Sequence, residues 1–265
     1  METTNSMIEK LFLRMDDWRH LPSYQLERRA DLFFSLYIPE VISEVFDCEV
    51  KEKLIPEFPV KLSIIYNNRR ENDENFVAEN YNLRSNQSVK IDYVAITENN
   101  EKAFLIELKT DKNSIKPSQV ENLIYSGDKF SDLIRGIQEI YYNSASNSIY
   151  RNKYHCLLNK IDGMGLFEET GVFKEAYRDK KNYADLVNIV HGFEPTSNIK
   201  EMIKVYIAPS KTNCSLIEEK NIKVITFKKF IEIENKNNSE DYLSTLFVKH
   251  LSKWDGTDAG EKEII

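Results

Sequence analysis

The spacing of hydrophobic residues in the first quarter of the chain predicts a helix followed by a strand. Apolar side chains recur every three or four positions over residues 23–46, which is the period of an amphipathic helix. They are Leu26, Ala30, Phe33 and Tyr37. Pro39 would kink or split this helix. An apolar run over residues 53–65 predicts a strand whose early prolines suit a sheet edge, and the polar residues 67–86 predict a loop or a long hairpin excursion.

The next stretch has the clearest strand pattern in the sequence. Two runs rich in β-branched and aromatic residues, within residues 88–111, flank a polar segment at residues 98–101. This pattern predicts a β-hairpin. Both runs are apolar at odd and even positions alike, which is typical of central strands that helices cover on both faces. We therefore expect the hairpin to lie inside a sheet.

The rest of the chain alternates between helical and strand patterns. Residues 114–145 have helical periodicity with an interruption near Gly127. Further helices are predicted over residues 153–161, 172–190 and 240–254, and strands over residues 202–210 and 222–230. This order predicts one α/β domain over residues 1–254, with a central mixed β-sheet flanked by helices, a helical insertion over about residues 146–195 and completing strands within 202–230. Residues 255–265 are predicted to be a solvated acidic tail.

Composition and charge narrow the class of protein. Of 265 residues, 41% are hydrophobic and 30% are charged, which is typical of a globular chain and not of a disordered one. The formal net charge of −7 excludes a generally basic protein, although a local basic cleft for nucleic acid stays open. Cys48, Cys156 and Cys214 are far apart, which argues against a disulfide framework or a zinc ribbon and indicates a reducing cytoplasm.

The sequence lacks the motifs of several other classes of protein. No apolar run approaches ~18 residues, so we expect no membrane-spanning helix, and the N-terminus has no signal-peptide pattern. The four histidines do not have the spacing of a zinc protease. Neither a serine-hydrolase nucleophile motif nor a phosphate-binding P-loop motif occurs. We therefore expect a cytoplasmic protein whose candidate chemistry lies in the predicted hairpin.

The predicted hairpin gathers acidic and basic residues at one end. If Thr97 pairs with Lys102 across the turn, Asp92 lies directly opposite Glu107, and opposed Cβ atoms are about 4.5–5.5 Å apart. Because side chains alternate faces along a strand, Glu107 and Lys109 share a face. This register therefore predicts one patch that contains two carboxylates and a lysine.

Two kinds of site fit such a patch. Carboxylate oxygens suit Mg²⁺, and a lysine beside the metal could orient or help deprotonate a water that hydrolyses a phosphodiester. Alternatively, the lysine pairs with both carboxylates in a buried ion cluster that satisfies the end of the sheet. The spacing alone leaves both interpretations open.

The two strand sequences resemble the core motif of the PD-(D/E)XK nuclease superfamily. KIDYVAI matches the first acid of that motif at Asp92, and AFLIELKTD matches its acid-x-lysine at Glu107 and Lys109, although Ile91 stands where many members have proline. The resemblance implies a restriction-endonuclease-like core and a nuclease that depends on Mg²⁺ or Mn²⁺, with DNA as the expected substrate. It implies that Asp92, Glu107 and the Leu108 carbonyl hold the metal, and that Lys109 positions the metal-activated water that attacks the phosphodiester.

The resemblance covers about residues 23–145 and adds two outer residues. Many members have an acid on the preceding helix, for which Glu27 is the candidate and Asp31 the alternative. Many also carry a glutamine or a basic residue on the helix after the lysine. Gln119 is preferred there over Gln138, whose Gln-x3-Tyr spacing resembles one branch of the superfamily but comes late in the chain.

Other charged and aromatic residues keep both a functional and an ordinary interpretation. Glu57 is either an extra metal ligand or a solvated charge, and Arg28 and Arg29 either contact phosphate or pair along their helix. Lysines and tyrosines after the motif either line a nucleic-acid groove or belong to the surface and core. These are Lys112, Lys116, Lys129, Tyr141, Tyr142, Tyr150 and Tyr154. The main alternative to a nuclease is a non-cleaving nucleic-acid-binding or regulatory module with the same fold, and either could act as a homodimer.

Overall fold

A mixed sheet organises the computed structural model of the protein. The structure describes residues 4–19, 21, 25–73, 76, 86–111, 115–145, 148–169, 171, 173, 183–212, 217 and 222–256. Its strands are β1 (Ile55–Lys61), β2 (Ser88–Ile96), β3 (Lys102–Leu108), β4 (Glu201–Ala208) and β5 (Lys223–Thr226). Within these residues they form one sheet in the order β1-β2-β3-β4-β5. β1 pairs with β2 antiparallel and β4 pairs with β5 parallel, so the predicted mixed sheet is confirmed.

The position of each strand agrees with its sequence pattern. β1 lies at an edge of the sheet, where a proline without an N–H is tolerated. β3 is the third strand of the described sheet, and its residues 103–108 are buried, as expected for a strand that is apolar on both faces. The strands predicted within residues 202–230 complete the sheet as β4 and β5.

Helices flank this sheet. In the described part of the chain they are α1 (Thr4–Trp18), α2 (Glu27–Phe46), α3 (Leu62–Asn72), α4 (Pro117–Ile124), α5 (Phe130–Asn143), α6 (Ile149–Gly163), α7 (Tyr183–His191), α8 (Phe227–Asn237) and α9 (Tyr242–Gly256). α2 continues through Pro39, because its apolar stripe is buried on both sides of the proline. The predicted interruption separates α4 from α5 at Gly127, whose φ of 93° suits glycine.

Two strands are shorter than the sequence indicated, and a helix begins directly after each. The strand predicted to residue 65 ends at Lys61, where α3 replaces its end and part of the predicted loop. The strand predicted to residue 230 ends at Thr226, whose hydroxyl accepts a hydrogen bond from the Lys229 N–H at 3.2 Å and caps α8. Short apolar runs fit a strand and a buried helix equally well, which is why these boundaries were wrong.

The other predicted elements are confirmed where the structure describes them. The hairpin is β2 and β3, and the helices predicted over residues 153–161, 172–190 and 240–254 correspond to α6, α7 and α9. Parts of the predictions lie outside the described residues. They include Lys112, Cys214, residues 23–24 of the first predicted helix, residues 74–75 and 77–85 of the predicted loop, residues 172 and 174–182 of the helix before β4 and residues 257–265 of the acidic tail.

The chain divides into two compact units, each built from separate segments. The first unit comprises Met1–Leu54, Ile106–Val120 and Lys204–Ile265. The second comprises Ile55–Leu105 and Glu121–Ile203. β3 therefore contributes residues to both units, and the single domain predicted for residues 1–254 stays a prediction.

Aromatic side chains form the core of the first unit. Phe247 on α9 is fully buried, and rings from α1, α2, α8 and α9 surround it at centroid distances of 5.0–6.3 Å. These rings belong to Phe12, Phe33, Phe34, Tyr37, Phe230 and Trp254. Tilted and edge-to-face pairs at such distances stabilise a core beyond their buried area, so α2 is held firmly by its neighbours.

In the second unit, α5 packs against β1, α3, α6 and α7. Gly136 allows the close approach to β1 and α3, because a Cβ at this position would lie 2.8 Å from Ile64 Cδ1 and 3.3 Å from Lys61 Cβ. Gln138 is buried, and its Nε2 donates to the carbonyls of Val190 and Phe193 at 2.8 Å each. These contacts hold the end of α7 against α5.

Glu234 on α8 makes the stability of the first unit depend on pH. It is fully buried and accepts hydrogen bonds from Ser244 Oγ at 3.0 Å and Asn238 Nδ2 at 3.1 Å. Burial raises the pKa of its carboxyl from 4.5 to about 7; Glu40 and Asp241 add to this rise, and the two hydrogen bonds oppose it. Because the folded protein binds this proton more tightly than the unfolded chain, the contribution of Glu234 to stability is fully present below about pH 4.5 and is lost as the pH rises through about 7.

We expect Glu234→Gln to remove this pH dependence and to raise the free energy of unfolding by about 2 kcal/mol above neutral pH. Urea unfolding at about pH 5 and about pH 8 measures the effect. Glu232→Gln, which changes an exposed acid on the same helix, is the matched control. The same change of stability with pH in the wild type and Glu234→Gln would contradict this assignment.

Candidate functional site

The end of β3 places Glu107 and Lys109 together in the first unit. Glu107 is the penultimate residue of β3 and Lys109 directly follows the strand; their exposed fractions are 4% and 2%. The Lys109 N–H donates to the Ile207 carbonyl of β4 at 2.8 Å. This hydrogen bond extends the contact with β4 one residue past the end of β3 and fixes the backbone that carries both side chains.

Oxygen atoms surround the ammonium group of Lys109. Its Nζ lies 3.4 Å from each carboxylate oxygen of Glu27 and 3.5 Å from Glu107 Oε2. It also donates to the Leu108 carbonyl at 2.7 Å. A buried ammonium needs paired charges and hydrogen bonds to replace its lost hydration. The two carboxylates and the carbonyl provide them and hold the lysine in one place.

Glu27 reaches Lys109 because α2 begins there. Glu27 is the first residue of α2, where the helix dipole favours a carboxylate. Its side chain is 34% exposed, whereas that of Lys109 is 3% exposed. Asp31, the alternative acid, lies one turn later and accepts a hydrogen bond from the Leu32 N–H at 2.7 Å. The structure thus pairs Lys109 with the preferred candidate.

A second ion pair next to Lys109 was not foreseen from the sequence. Arg19, directly after α1, is buried, and its Nη2 lies 3.4 Å from Asp111 Oδ1. Asp111 continues the alternation of Glu107 and Lys109, which was an available signal for it. No comparable signal exists for Arg19, because it lies 92 residues away from Asp111 in the chain.

The two candidate glutamines occupy different environments. Gln119 lies in the first turn of α4 and is half-buried. Among the described residues, no hydrogen bond joins its side chain to Glu107 or Lys109. Gln138 is instead committed to the carbonyls at the end of α7, which is a structural role in the second unit.

Asp92 lies on β2 in the second unit, and its side chain is half-buried. The turn of its hairpin has the predicted pairing, because the Thr97 N–H donates to the Lys102 carbonyl at 3.1 Å. Asn100 completes the turn with a φ of 56°. The position of Asp92 opposite Glu107 stays a prediction.

Glu57 on β1 lies level with Asp92 along the neighbouring strand. The register aligns Pro56 with Tyr93 and Phe58 with Ile91, which leaves Glu57 and Asp92 across from each other. Glu57 has a φ of 51°, a left-handed conformation that is uncommon for residues other than glycine. Glu57 and Asp92 therefore lie on adjacent strands, as they would have to if Glu57 were an extra metal ligand beside Asp92.

The remaining candidate residues lie on the surface, in the core or at a pocket. Charged side chains on the surface are those of Arg28, Arg29, Lys116 and Lys129. Tyr141 is fully buried, with its hydroxyl 3.1 Å from His155 Nδ1, so it belongs to the core of the second unit. Tyr142 is exposed beside His191, and Tyr150 and Tyr154 line a pocket.

The oxygen atoms around Lys109 are of the kind that coordinate a hard metal ion. The described residues contain no group of three or more histidine, cysteine or acidic side chains that could hold a metal. Oxygen atoms of Glu27, Glu107 and Leu108 nevertheless converge on one cation, the Lys109 ammonium. Mg²⁺ prefers such oxygen ligands, keeps several waters and often uses one or two carboxylates.

Comparisons with known proteins identify no relative of this chain. No family model, no curated protein and no solved structure matches the chain. Within the described ranges, no helix is both long and apolar enough to cross a lipid bilayer. The described elements form an α/β fold with a mixed sheet flanked by helices. The residues around Lys109 are the basis for any assignment of function.

Proposed function

We propose that the protein is a metal-dependent nuclease with a restriction-endonuclease-like core, which hydrolyses phosphodiester bonds of nucleic acid and has DNA as its expected substrate. The observation that supports this most directly is the buried Lys109 ammonium between Glu27 and Glu107, at the end of a central strand. Burying charged groups is costly in free energy. Such costly clusters are common at catalytic sites.

Glu107 and the Leu108 carbonyl would hold Mg²⁺ or Mn²⁺, together with Asp92 on the register that the sequence predicts for the hairpin. When bound, the metal would supply positive charge that neutralises the phosphate and the charge that develops on it. Lys109 Nζ lies 2.7 Å from the Leu108 carbonyl oxygen. In this proposal the lysine therefore acts directly beside the groups that hold the metal.

Lys109 would position the attacking water in this proposal. Its ammonium can donate a hydrogen bond to the water oxygen and stabilise the negative charge on the phosphate while the water oxygen bonds to phosphorus and the P–O bond to the leaving sugar oxygen breaks. The leaving oxygen takes a proton from solvent. Glu27 holds the ammonium through its two 3.4 Å contacts. Because the Glu27 side chain is 34% exposed, it is placed to accept the water's proton and pass it to solvent. Gln119 would tune the site from the following helix, α4.

Removing the Glu107 carboxylate should weaken metal binding. We expect Glu107→Gln to bind Mg²⁺ and Mn²⁺ at least about tenfold more weakly than the wild type, because a charged oxygen ligand becomes neutral. Isothermal titration calorimetry, with and without a short DNA, measures these affinities. Glu101→Gln, at an exposed salt bridge beside the hairpin turn, is the matched control and should bind metal like the wild type.

Two results would contradict the nuclease. Equal metal affinities in the wild type and Glu107→Gln would place the metal elsewhere. No Mg²⁺ or Mn²⁺ binding by the wild type, with or without DNA, would favour the non-cleaving module. One observation favours that module, since the Lys109 ammonium already compensates both carboxylates at 3.4 Å and 3.5 Å. Cleavage of a labelled DNA in Mg²⁺ separates the two functions directly.

A further inference from the structure

The second unit contains a pocket that the proposed reaction leaves without a role. Its volume is about 820 Å³, within the range of about 300–1,000 Å³ that is typical of small-molecule sites. Residues of β1, β2, α5 and α6 contribute to its walls. Its cationic, aromatic and amide side chains are Lys90, Lys153, Tyr150, Tyr154, Asn86 and Asn143. We call this cavity the α6 pocket.

Three of these side chains project from one side of α6. Tyr150 and Tyr154 are four residues apart and Lys153 is three residues after Tyr150, which places them on neighbouring turns of the helix. The Tyr154 hydroxyl lies 3.3 Å from Ser88 Oγ, and Lys90 Nζ lies 5.6 Å from the centroid of the Tyr154 ring. Tyr150 is 66% exposed. One ring is therefore fixed against β2 and the other lies open at the pocket.

The side chains of the α6 pocket suit a ligand with an aromatic ring and negative charge. Lys90 lines the pocket beside the Tyr154 ring, and the exposed Lys153 adds a second cation. An anion in the pocket would accept charge-assisted hydrogen bonds from these two ammonium groups, although the Glu57 carboxylate also lines it. Aromatic rings stack on nucleobases, amides bond to base edges, and ammonium groups contact phosphates. This combination indicates a nucleotide.

The α6 pocket shares one face of β2 with Asp92. Ser88 and Lys90 line the pocket, and residues two apart on a strand project from the same face at intervals of about 7 Å. Asp92 is the next residue in this series. A phosphate held at Lys90 would therefore lie one strand repeat from the acid that we assign to the metal.

We propose that the α6 pocket binds one nucleotide of a single-stranded nucleic acid, next to the phosphate that is cleaved. This inference rests on the proposed nuclease and narrows its substrate. The base stacks on Tyr150 and Tyr154, and Lys90 and Lys153 contact the phosphate. A base inside a duplex is stacked and paired, and unstacking it costs a few kcal/mol. The pocket therefore selects single strands and frayed ends over intact duplex.

Fluorescence anisotropy of a labelled single-stranded oligonucleotide, measured in EDTA so that nothing is cleaved, tests this inference. We expect Tyr150→Ala to weaken binding of the single strand about tenfold, because one stacking contact is lost, and to change binding of the matching duplex by less than about twofold. We expect Lys153→Ala to reduce the salt dependence of binding by about one phosphate contact. Tyr242→Ala and Lys160→Ala, at exposed positions outside the pocket, are matched controls.

The possible failures are distinguishable. Equal single-strand affinity in the wild type and Tyr150→Ala, no binding by the wild type, or an equal loss for the duplex would overturn the inference. A protein that loses single-strand binding in Tyr150→Ala but never cleaves would keep the pocket and overturn the nuclease. Cleavage that is unchanged in Tyr150→Ala would keep the nuclease and overturn the pocket. Because Tyr150 is exposed, its variant is expected to fold.

Discussion

Replacing Lys109 with methionine should lower the rate of DNA cleavage by about a thousandfold or more. Methionine fills similar space but removes the ammonium, which in the proposed mechanism holds the water and stabilises charge on the phosphate. Loss of one such donor commonly costs about 10²–10³ in rate, and catalytic groups that act as a unit fail together. A solvent molecule cannot easily take the place of the lost ammonium, because Lys109 is only 2% exposed.

Two further variants make the Lys109 experiment interpretable. Lys109→Arg keeps a cation between Glu27 and Glu107, so the buried carboxylates stay compensated. We expect its cleavage to remain at least about tenfold below the wild type, since a planar guanidinium does not place its donors where an ammonium does. Lys102→Met is the matched control on the same strand, where Lys102 is partly exposed and pairs with Glu201 at 3.3 Å.

Cleavage of a labelled oligonucleotide in Mg²⁺ measures the rates, and circular dichroism with thermal melting reports the folding of each variant. A folded Lys109→Met that cleaves at the wild-type rate would show that the catalytic assignment is wrong. A lower Tm with unchanged metal and DNA binding would show instead that Lys109 belongs to a structural ion cluster. The experiment therefore separates the two interpretations that the sequence left open.

Removing the Asp16 carboxylate should destabilise the first unit by about 3 kcal/mol. Asp16 on α1 joins three side chains of α9: its Oδ2 lies 2.8 Å from both His250 Nδ1 and Lys253 Nζ, and its Oδ1 accepts from Trp254 Nε1 at 2.8 Å. His250 and Trp254 are 0% and 1% exposed. Asp16→Ala therefore leaves buried polar groups without their acceptor, and their desolvation is no longer offset.

The same contacts make stability fall in acid. Burial alone would raise the pKa of Asp16, but the hydrogen bonds from His250, Lys253 and Trp254 outweigh burial and lower it from 3.8 to about 2. The unfolded chain then binds this proton more tightly than the folded protein. The contribution of Asp16 is therefore fully present above about pH 4 and is lost as the pH falls through about 2.

Urea unfolding at about pH 7 and about pH 3 measures both effects of Asp16. Asp17→Ala, which changes the exposed neighbouring acid, should stay close to the wild type at both values. Asp16→Ala should lose most stability at neutral pH and should change less on acidification than the wild type does. Unfolding of Asp16→Ala at the same urea concentration as the wild type at neutral pH would contradict the assignment.

Local sequence predicted the centre of the fold better than its periphery. The β2–β3 hairpin was predictable because apolar runs flank a polar turn, and those runs are long enough to have one interpretation. The segments Leu62–Ile65 and Phe227–Phe230, which end the runs predicted as strands, are too short for that, and both are helical. α1 was not predicted; its buried Phe12 packs against rings of α2 and α9, which lie elsewhere in the chain.

The candidate site divides in the same way. Strand alternation alone indicates that Glu107 and Lys109 share a face, and their side chains lie 3.5 Å apart. Glu27 was chosen through a resemblance, and its contact with Lys109 depends on how α2 packs in the first unit. Strand alternation offered a signal for Asp111 but none for its partner Arg19, and the sequence singled out Tyr150 and Tyr154 without indicating the pocket that they line, because the pair and the pocket each join residues from separate elements.

The edge strand β1 also bears on self-association. Pro56 and Pro59 have no N–H to donate, and Glu57 between them has the left-handed φ of 51°. An edge with an unbroken row of N–H and C=O groups is a template on which further chains add, which leads to aggregation. β1 presents an interrupted row instead, so edge-to-edge addition of strands from another chain is disfavoured here. A homodimer that pairs its β-strands across this edge is therefore disfavoured.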